Sequence, residues 1–444
     1  MRQFPSDLFV GQRFLVVGLG KNGLPTARAL VAMGAAVTAW DDTPAARAAA
    51  PDLVLRDPRE GELACDALVL SPGIPHRLPA PHPAAARAIA AGVPIMSDTE
   101  LLYQAVRRAG SRARFAGITG TNGKSTTTAL LAHILDGAGV PSAAGANLGP
   151  AALTLPLLPD DGVYVLEMSS YMLERLATLR FDAAAMLNLS ADHIDRHGDM
   201  AGYARAKRAI FDRQAAGDLA VIGVDDPGSR EMAAWLDGQP ARVMRVSGMD
   251  RTAERPRGPA LPGAHNAQNA AAASAMAVFL GASAADIANG LLTFPGLPHR
   301  QQRITTIAGI TFINDSKATN ADAAERALVC YDRLVWIAGG MAKEGGIEPL
   351  VPLFPRIART LLIGRDAPIF AATLAAHGVP HETVGTLAEA VPAAFAAAKA
   401  DHAPVVLLSP ACASWDQFTG YDQRGDRFAE LARGLASADG GGGR

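Results

Sequence analysis

The sequence has few cysteines and no excess of charge of either sign. Cys65, Cys330 and Cys412 lie far apart in a chain of 444 residues, which excludes a disulfide framework and a thiolate zinc site. The 41 Lys and Arg against 43 Asp and Glu give a formal net charge of −2, so no global positive field exists to attract nucleic acid or an anionic membrane. We therefore expect a reducing, cytoplasmic setting and partners that are recognised at local sites.

Long apolar runs and an export signal are also missing. The first residues lack a long apolar stretch followed by a small-residue cleavage site. The longest uncharged apolar segment, residues 270–285, is mostly alanine and too short to cross a bilayer, so it predicts a packed helix. Hydrophobic residues make up 49% and charged residues 19%, which excludes a disordered chain. The length predicts two or three folded domains, and we expect neither a membrane nor a nucleic-acid partner.

Three regions alternate apolar strands, glycine-rich turns and helices. The first turn follows residues 14–17 and the second follows residues 115–119, while the region after residue 300 has the strands TFIND, LVWIAGG, TLLIG and PVVLLSP. This alternation is typical of α/β domains with mainly parallel, doubly wound sheets. A basic stretch at residues 107–114 and a Pro/Gly cluster at residues 295–298 mark the boundaries. The predicted domains are residues 1–108, 109–297 and 298–444.

The motif GITGTNGKSTTT at residues 117–128 predicts a phosphate-binding loop. Glycines let the backbone approach phosphate oxygens, a lysine adds positive charge, and a hydroxyl reaches the accompanying Mg²⁺. The residues in these positions are Gly120, Gly123, Lys124 and Ser125. The strict P-loop spacing would need a glycine where Ile118 stands, but the strand before the loop and the helix after it favour ATP binding over a solvated turn.

Two acidic or polar segments offer candidate metal ligands. Glu167 ends the apolar run VYVLE, where a strand could bring its carboxylate beside the loop to bind Mg²⁺; a solvated glutamate is the alternative. The segment DHIDRH, residues 192–197, precedes YARAK and is either metal-binding or a polar loop before a helix. Histidine is not the preferred ligand of Mg²⁺, so the residues alone leave both interpretations open.

A second glycine loop lies near the N-terminus. Gly18, Gly20 and Gly23 form G-x-G-x-x-G after a strand, and Asp41 follows at the end of VTAW. This pattern suits a dinucleotide, with the aspartate on a ribose hydroxyl. The same loop can bind any diphosphate, so NAD and a UDP-sugar are not distinguished.

Taken together, TGTNGKST, SPGIP, LEMSS, DHIDRH with YARAK, HNAQNA, GLPHR, NDSKATN and LLSPACASWDQF resemble the Mur ligase family, from the first glycine loop to near residue 428. The resemblance implies a Rossmann-like N-terminal domain for a UDP-linked substrate, a P-loop-type central ATPase domain, and a Rossmann-like C-terminal domain that binds an amino acid and closes. It also implies ATP-dependent addition of D-glutamate to UDP-N-acetylmuramoyl-L-alanine through an acyl phosphate, in peptidoglycan precursor synthesis. A sister ligase that adds another amino acid, such as L-glutamate, is the alternative.

The resemblance also implies roles for individual residues. Catalysis would involve Lys124, Glu167, His193 and Lys207. Two Mg²⁺ ions would be bound by Ser125, Glu167, His193 and a Lys207 that carries a CO₂-derived carbamate. ATP would contact Gly120, Thr121, Asn122, Gly123, Lys124, Ser125, Thr126, Asn266, Asn269, Arg300, Asp315 and Lys317. The UDP-linked substrate would contact Gly18, Gly20, Asn22, Gly23, Asp41, Ser71, Pro72, Gly73, Asn147, Asp192 and His193. Glutamate would contact Thr319, Lys343, Ser414 and Tyr421.

Some positions depart from the family pattern. Lys343 is followed by Glu-Gly-Gly-Ile where the family has Gly-x-Asp-Phe, Gln302 replaces a glutamate, and Tyr421 replaces a common phenylalanine. The turn after Asp41 lacks a basic residue that some relatives have, and Asp315 with Lys317 could instead form a structural salt pair. These departures leave D- and L-glutamate both open.

Two other functions fit parts of the sequence. The first glycine loop with Asp41 would suit an NAD-dependent dehydrogenase, but that function leaves the second loop without a role. A P-loop regulatory module would bind nucleotide without making an amide. The segments NDSKATN and SPACAS favour the ligase, which we expect to be a monomer.

Overall fold

The computed structural model describes residues 2–250, 256–342 and 345–439. The chain divides into two compact units, Met1–Pro256 with Asn266–Phe294, and Arg257–His265 with Pro295–Arg444. The first unit contains two sheets, and the second contains one large sheet and a two-stranded ribbon. The predicted α/β class with mainly parallel sheets is confirmed. The domain boundaries near residues 109 and 298 remain predictions.

The first sheet has five parallel strands in the order β3-β2-β1-β4-β5. Its strands are β1 (Arg13–Val17), β2 (Ala36–Trp40), β3 (Val54–Leu55), β4 (Ala67–Leu70) and β5 (Ile95–Met96). Its helices are α1 (Gly23–Ala32), α2 (Pro44–Ala48), α3 (Pro83–Ala90) and α4 (Asp98–Arg108). The apolar runs of β1 and β4 are buried, as expected for parallel strands covered on both faces. The strand order reverses between β1 and β4, so a crevice for a ligand opens at their carboxyl ends.

The second sheet has six parallel strands in the order β11-β10-β9-β6-β8-β7. Its strands are β6 (Arg114–Thr119), β7 (Ser142–Ala146), β8 (Val163–Glu167), β9 (Ala183–Met186), β10 (Leu219–Gly223) and β11 (Arg242–Val246). The helices of this region are α5 (Lys124–Gly137), α6 (Ser170–Leu173), α7 (Ile194–His197), α8 (Met200–Arg208), α9 (Pro227–Leu236), α10 (Gly263–Phe279) and α11 (Ala284–Thr293). Because β6 lies between β8 and β9, residues that follow these two strands flank the loop that follows β6.

The third sheet has the order β12-β13-β18-β14-β16-β17. Its strands are β12 (Gln302–Ile307), β13 (Ile310–Asn314), β14 (Leu334–Gly339), β16 (Ile357–Ile363), β17 (His381–Gly385) and β18 (Val405–Leu408), with the ribbon β15 (Met341–Ala342) and β19 (Cys412–Ala413). Its helices are α12 (Ala321–Leu328), α13 (Ala367–Ala376), α14 (Leu387–Ala400) and α15 (Tyr421–Asp439). Strand β12 is antiparallel to β13, and the other pairs of this sheet are parallel. The four strands predicted here correspond to β13, β14, β16 and β18.

A buried carboxylate joins the first two sheets. Glu100 on α4 is 0% exposed and accepts hydrogen bonds from the backbone N–H groups of Ala177, Thr178 and Leu179 and from the Thr178 hydroxyl. Burial alone would raise the pKa of Glu100, but these hydrogen bonds outweigh it and keep the pKa below its usual value.

No helix in the described ranges is long and apolar enough to cross a membrane.

We predict that Glu100→Gln lowers the free energy of unfolding of the first unit by about 3 kcal/mol, because one amide oxygen cannot satisfy these four donors and the Gln104 side chain, which also donates to the carboxylate. The measurement is the urea unfolding midpoint at neutral pH. The matched control is Glu60→Gln, since the Glu60 side chain is exposed. An unchanged midpoint for Glu100→Gln would contradict this role.

The same carboxylate predicts a pH dependence. Its pKa is depressed in the folded state, so its stabilisation is complete above the ordinary value of 4.5 and is lost as the pH falls through the lower folded value. The difference in unfolding midpoint between the wild type and Glu100→Gln should therefore shrink only in acid. A difference that is constant from neutral pH to about pH 3 would contradict this linkage.

Candidate active site

The predicted phosphate loop lies between β6 and α5. Gly120 and Gly123 have φ angles of 145° and 85°, which are unfavourable for residues with a Cβ. A Cβ on Gly123 would also lie 2.4 Å from Oδ1 of Asn269. The Lys124 Nζ donates to the carbonyls of Gly120 (2.9 Å) and Thr121 (2.8 Å), so its ammonium lies within the loop. Ser125 and Thr126 follow in the first turn of α5.

Asn188, which the sequence did not indicate, fixes the loop from β9. Its side chain accepts from the backbone N–H of Asn122 (2.8 Å) and donates to the Asn122 carbonyl (3.1 Å). Its backbone carbonyl accepts from the N–H of Thr121 (3.0 Å). The Thr121 hydroxyl donates to the carbonyl of Ser190 (3.1 Å). The segment after β9 therefore shapes the phosphate loop, a role that depends on strand order and leaves no local signal in the sequence.

Glu167 ends β8 and lies opposite Ile118 of β6 in the sheet register. The residue is 2% exposed, and its Oε1 accepts from the Asn147 side chain at 2.6 Å. Its Oε2 is buried and has no hydrogen-bond partner among the described residues. An unpaired buried carboxylate oxygen is unfavourable, and a divalent cation would satisfy it. This oxygen suits Mg²⁺, which prefers hard oxygen ligands.

Lys207 on α8 lies beneath the phosphate loop. It is 1% exposed, its Nζ donates to the Gly120 carbonyl at 2.8 Å, and the ammonium lies 4.6 Å from the ring centroid of Tyr203. Burial, followed by the charge of Lys124, lowers the pKa of Lys207 well below its usual value. An amine with a lowered pKa is more often neutral and therefore nucleophilic, so this lysine is chemically suited to modification.

The segment DHIDRH contains two histidines in different environments. His193 has a φ angle of 53°, its side chain is 47% exposed, and its ring lies 5.1 Å from that of Tyr171. Burial and the charges of Lys124 and Lys207 lower the pKa of His193 and outweigh the opposite effect of Asp192. Asp192 is exposed at the same turn.

His197 is buried, its ring nitrogens lie beside Ser170 and Glu174, and its ring lies 5.3 Å from that of Tyr203. The structure thus leaves His193 as the candidate ligand and makes His197 part of the polar interior. In residues 2–250, 256–342 and 345–439, no three His, Cys, Asp or Glu side chains are arranged to hold a metal by themselves. A Mg²⁺ bound here would therefore complete its shell with phosphate oxygens and water, which is its usual mode at nucleotide sites.

The first glycine loop lies at the crevice between β1 and β4. Gly18 has a φ angle of 91°, and a Cβ on Gly23 would lie 1.7 Å from the Gly18 carbonyl oxygen. The Ser71 hydroxyl donates to that carbonyl at 2.8 Å. Gly20 faces open space. The Asn22 side chain donates to the carbonyl of Ala146 at 3.4 Å, so it ties the loop to β7.

Asp41 shapes the turn beside this loop. Its carboxylate accepts from the backbone N–H of Leu19 (2.7 Å) and of Thr43 (2.8 Å). Arg47, which follows the turn, donates to the Asp41 carbonyl at 2.6 Å. The Arg47 guanidinium also lies 4.5 Å from the centroid of the Trp40 ring. A cation and an aromatic ring therefore lie beside Asp41, which is predicted to contact the UDP-linked substrate.

Arg175 fixes the SPGIP loop and was not predicted. The residue is 3% exposed and donates to the carbonyls of Leu70 (2.6 Å), Ser71 (3.1 Å) and Ile74 (2.5 Å). Burial lowers the pKa of Arg175 to about 9. These bonds leave Gly73 facing open space, with Pro72 beside it. Hydrogen bonds from the buried Arg175 guanidinium thus hold the backbone that is predicted to bind the substrate.

Asn266 and Asn269 lie on α10 and are buried. The Asn269 side chain donates to that of Asn266 at 3.0 Å. Its other amide atom, Oδ1, is the group that a Cβ on Gly123 would meet. Of these two residues, both predicted to contact ATP, Asn269 therefore lies against the phosphate loop.

In the second unit, Asp315 and Lys317 have different partners. Asp315 accepts from the Ser409 hydroxyl (2.7 Å) and from the backbone N–H of Gln301 (3.1 Å), and burial raises its pKa to about 7. The Lys317 ammonium lies 3.6 Å from the centroid of the Tyr421 ring. This geometry disfavours the alternative of a structural salt pair. Arg300 and Thr319 are half-buried, Ser414 is buried, and Lys343 lies outside the described residues.

Arg424 on α15 joins the segments NDSKATN and SPACAS. The residue is 1% exposed and donates to the Ser316 hydroxyl (2.9 Å), the Ser316 carbonyl (2.8 Å) and the Cys412 carbonyl (3.0 Å). Burial lowers the pKa of Arg424 to about 10. This role could not be predicted, because an arginine on a polar helix is usually exposed. Burial raises the pKa of the Cys412 thiol to about 12, which suits a packing residue and not a nucleophile.

Comparisons with known proteins agree with this geometry. The Mur ligase middle domain matches residues 118–256, and the Mur ligase glutamate ligase domain matches residues 299–412. A UDP-N-acetylmuramoylalanine–D-glutamate ligase of Paramagnetospirillum magneticum is 51% identical over 96% of this chain and 97% of its own length. The enzyme of the same name from Rhodospirillum rubrum is 47% identical over 97% and 96% of the two chains. The fold is similar to that of UDP-N-acetylmuramate-alanine ligase from Thermotoga maritima, with a TM-score of 0.60, 17% identity and coverage of 96% of this chain and 100% of that one.

We predict that Gly123→Ala weakens binding of a non-hydrolysable ATP analogue with Mg²⁺ by at least about tenfold, since its Cβ collides with Asn269 and its φ angle is strained. The measurement is titration calorimetry. Gly137→Ala is the matched control, because no heavy atom lies within 4 Å of a Cβ built there. Equal affinities in the two variants would show that the loop does not bind the phosphates.

Proposed function

The chain belongs to the Mur ligase family, and we propose that it joins the amino group of D-glutamate to the free carboxylate of UDP-N-acetylmuramoyl-L-alanine at the expense of ATP, in peptidoglycan precursor synthesis. The observation that carries the proposal is the phosphate loop with Glu167 and Lys207 buried beside it. Relatives that carry the name of this D-glutamate ligase match almost the whole chain. The enzyme is therefore an ATP-dependent acid–amino-acid ligase.

The reaction activates an inert carboxylate. The substrate carboxylate takes the γ-phosphoryl group and ADP leaves, which gives an acyl phosphate. The amine of glutamate then attacks the acyl carbon, phosphate leaves with the C–O bonding electrons, and the nitrogen loses a proton to give the amide. Catalysis of such steps rests on positioning and on neutralising negative charge. We assign the phosphoryl contacts to Lys124 and to the backbone of Gly120–Gly123.

Magnesium would be bound by oxygen ligands at the ends of β8 and α5. The unpaired Oε2 of Glu167 and the hydroxyl of Ser125 supply hard donors, and Asn147 orients the carboxylate. His193 would serve a second ion, with Asp192 at the same turn. When bound, Mg²⁺ supplies charge neutralisation at the phosphates.

Lys207 is proposed to carry a carbamate. Its neutral amine would attack CO₂, form an N–C bond and release one proton, which converts a cation into an anionic oxygen ligand. The proposal is supported by the burial of Lys207, by its lowered pKa and by its hydrogen bond to the phosphate loop. A buried ammonium beside Lys124 is electrostatically unfavourable, and the modification would remove that repulsion.

The remaining predicted residues are assigned to three ligands. We place the UDP end at Gly18–Gly23, Asp41 and Ser71–Gly73, and the nucleoside of ATP at Asn266 and Asn269. Arg300, Asp315 and Lys317 are proposed to contact the nucleotide. Glutamate is assigned to Thr319, Lys343, Ser414 and Tyr421. The cytoplasmic location and the monomeric state remain predictions from the sequence.

We predict that inorganic phosphate is released from ATP only when UDP-N-acetylmuramoyl-L-alanine and D-glutamate are both present. The assay compares D-glutamate with L-glutamate, lysine and diaminopimelate, and mass spectrometry identifies the amide. Phosphate release with L-glutamate but not with D-glutamate, in the presence of the UDP-linked substrate, would favour the sister ligase. Binding of a nicotinamide nucleotide without any new amide would contradict the ligase.

We predict that Lys207→Ala abolishes turnover and that a short carboxylate such as acetate restores part of it, because the carboxylate replaces the lost anionic oxygens. A ¹³C NMR signal from carbamate should appear in wild-type protein with ¹³CO₂ and be absent from the variant. The control is Lys399→Ala, since Lys399 is exposed on α14. Full activity of Lys207→Ala would contradict the role of the carbamate.

A further inference from the structure

A buried serine, a buried histidine and a half-buried glutamate form a continuous hydrogen-bonded relay next to the proposed metal site. The His197 Nε2 lies 2.9 Å from the Ser170 hydroxyl, and its Nδ1 lies 2.8 Å from Oε1 of Glu174. The His197 side chain is 1% exposed and the Ser170 residue 3%. A carboxylate only accepts hydrogen bonds, so the proton on Nδ1 faces Glu174. The ring is therefore fixed in orientation from both sides.

The relay joins the two turns that carry the proposed metal ligands. Ser170 begins α6, three residues after Glu167, and His197 ends α7, four residues after His193. A hydrogen bond between the first residue of α6 and the last residue of α7 therefore restricts the distance between Glu167 and His193. The φ angle of 53° at His193 makes its turn unfavourable by itself, so the turn depends on such anchoring.

Tyr171, next to Ser170, provides a second anchor for the same turn. Its ring lies 5.1 Å from the His193 ring and 5.7 Å from the His197 ring, nearly parallel to the latter. The Arg196 guanidinium lies 4.8 Å from the same ring centroid. The side chains of His193, Arg196 and His197 thus pack around Tyr171. The Ser170–His197 hydrogen bond fixes their position along α6.

Glu174 connects the relay to the SPGIP loop. Its carboxylate lies 3.7 Å from His76 and 4.0 Å from Arg196, and Arg196 donates to the Ile74 carbonyl at 3.3 Å. The following residue, Arg175, binds three carbonyls of the loop region. These contacts therefore connect His197 to the wall of the predicted substrate crevice and not to an exposed side chain.

We propose that Ser170, His197 and Glu174 are positioning residues that fix the His193 turn against the Glu167 turn and thereby set the affinity for the divalent cation at His193. The inference rests on the proposed function, because that function assigns both turns to metal binding. The same three residue types form the nucleophilic relay of serine hydrolases. Ser170 is 3% exposed, however, so an acyl substrate cannot reach its hydroxyl.

The test uses Ser170→Ala together with two substitutions of His197. His197→Asn can replace the donor to Glu174 but not the contact with Ser170, whereas His197→Gln can replace the contact with Ser170. Ser229→Ala is the matched control, since Ser229 is 0% exposed and its hydroxyl has no hydrogen-bond partner among the described residues. His193→Ala identifies the binding event that depends on His193.

The readout is Mn²⁺ binding in the presence of a non-hydrolysable ATP analogue, followed by the electron paramagnetic resonance signal of free Mn²⁺. A second titration measures the affinity for the analogue without metal. We expect Ser170→Ala and His197→Asn to weaken the His193-dependent Mn²⁺ binding by about tenfold, with the metal-free affinity unchanged. His197→Gln should lose less than His197→Asn, and Ser229→Ala should match the wild type.

Two results would overturn the inference. One is Mn²⁺ binding by Ser170→Ala and His197→Asn that equals the wild type. The other is a parallel loss of metal-free nucleotide affinity, which would mean that the relay supports the whole site and not the cation. If wild-type protein with the analogue binds no Mn²⁺ at all, the proposed function itself fails, and this result is distinguishable from both.

Discussion

Two lysines donate to a single backbone carbonyl, that of Gly120, and the rest of the candidate active site depends on this arrangement. Lys124 approaches from the phosphate loop itself and Lys207 from a buried helix. Two ammonium groups so close together repel each other, and the buried one has lost its hydration as well. The carbamate proposed on Lys207 would relieve both costs.

Strand order explains why these groups meet. Strand β6 lies between β8 and β9, so Glu167 and Asn188, 21 residues apart in sequence, reach the same loop from opposite sides. Parallel strands end at one edge of the sheet, and a residue that immediately follows a strand is placed there by the register. The same rule operates in the third sheet, where β18 is next to β13 and the Ser409 hydroxyl therefore reaches Asp315.

The parts of the site that follow local rules could be predicted from the sequence. Gly123 and Lys124 predict a phosphate loop because the required backbone conformation and charge are local properties. The fold class follows from the alternation of strands and helices. Asn188, Arg175 and Arg424 could not be predicted, because their roles exist only through contacts with distant backbone. The DHIDRH segment lies between these cases. Its polar character was evident, but only the packing separates the half-exposed His193 from the buried His197.

Two buried arginines, one in each unit, are held mainly by backbone carbonyls. In the first unit Arg175 is bonded to the carbonyls of the SPGIP region, and in the second unit Arg424 is bonded to carbonyls and a hydroxyl of the NDSKATN and SPACAS segments. Carbonyl oxygens accept from two nitrogens of Arg175 and from one of Arg424 without cancelling the net charge, whereas a bonded carboxylate would cancel it. Each buried guanidinium therefore fixes its loop from the interior of the fold, through hydrogen bonds that no neighbouring residue in the sequence could provide.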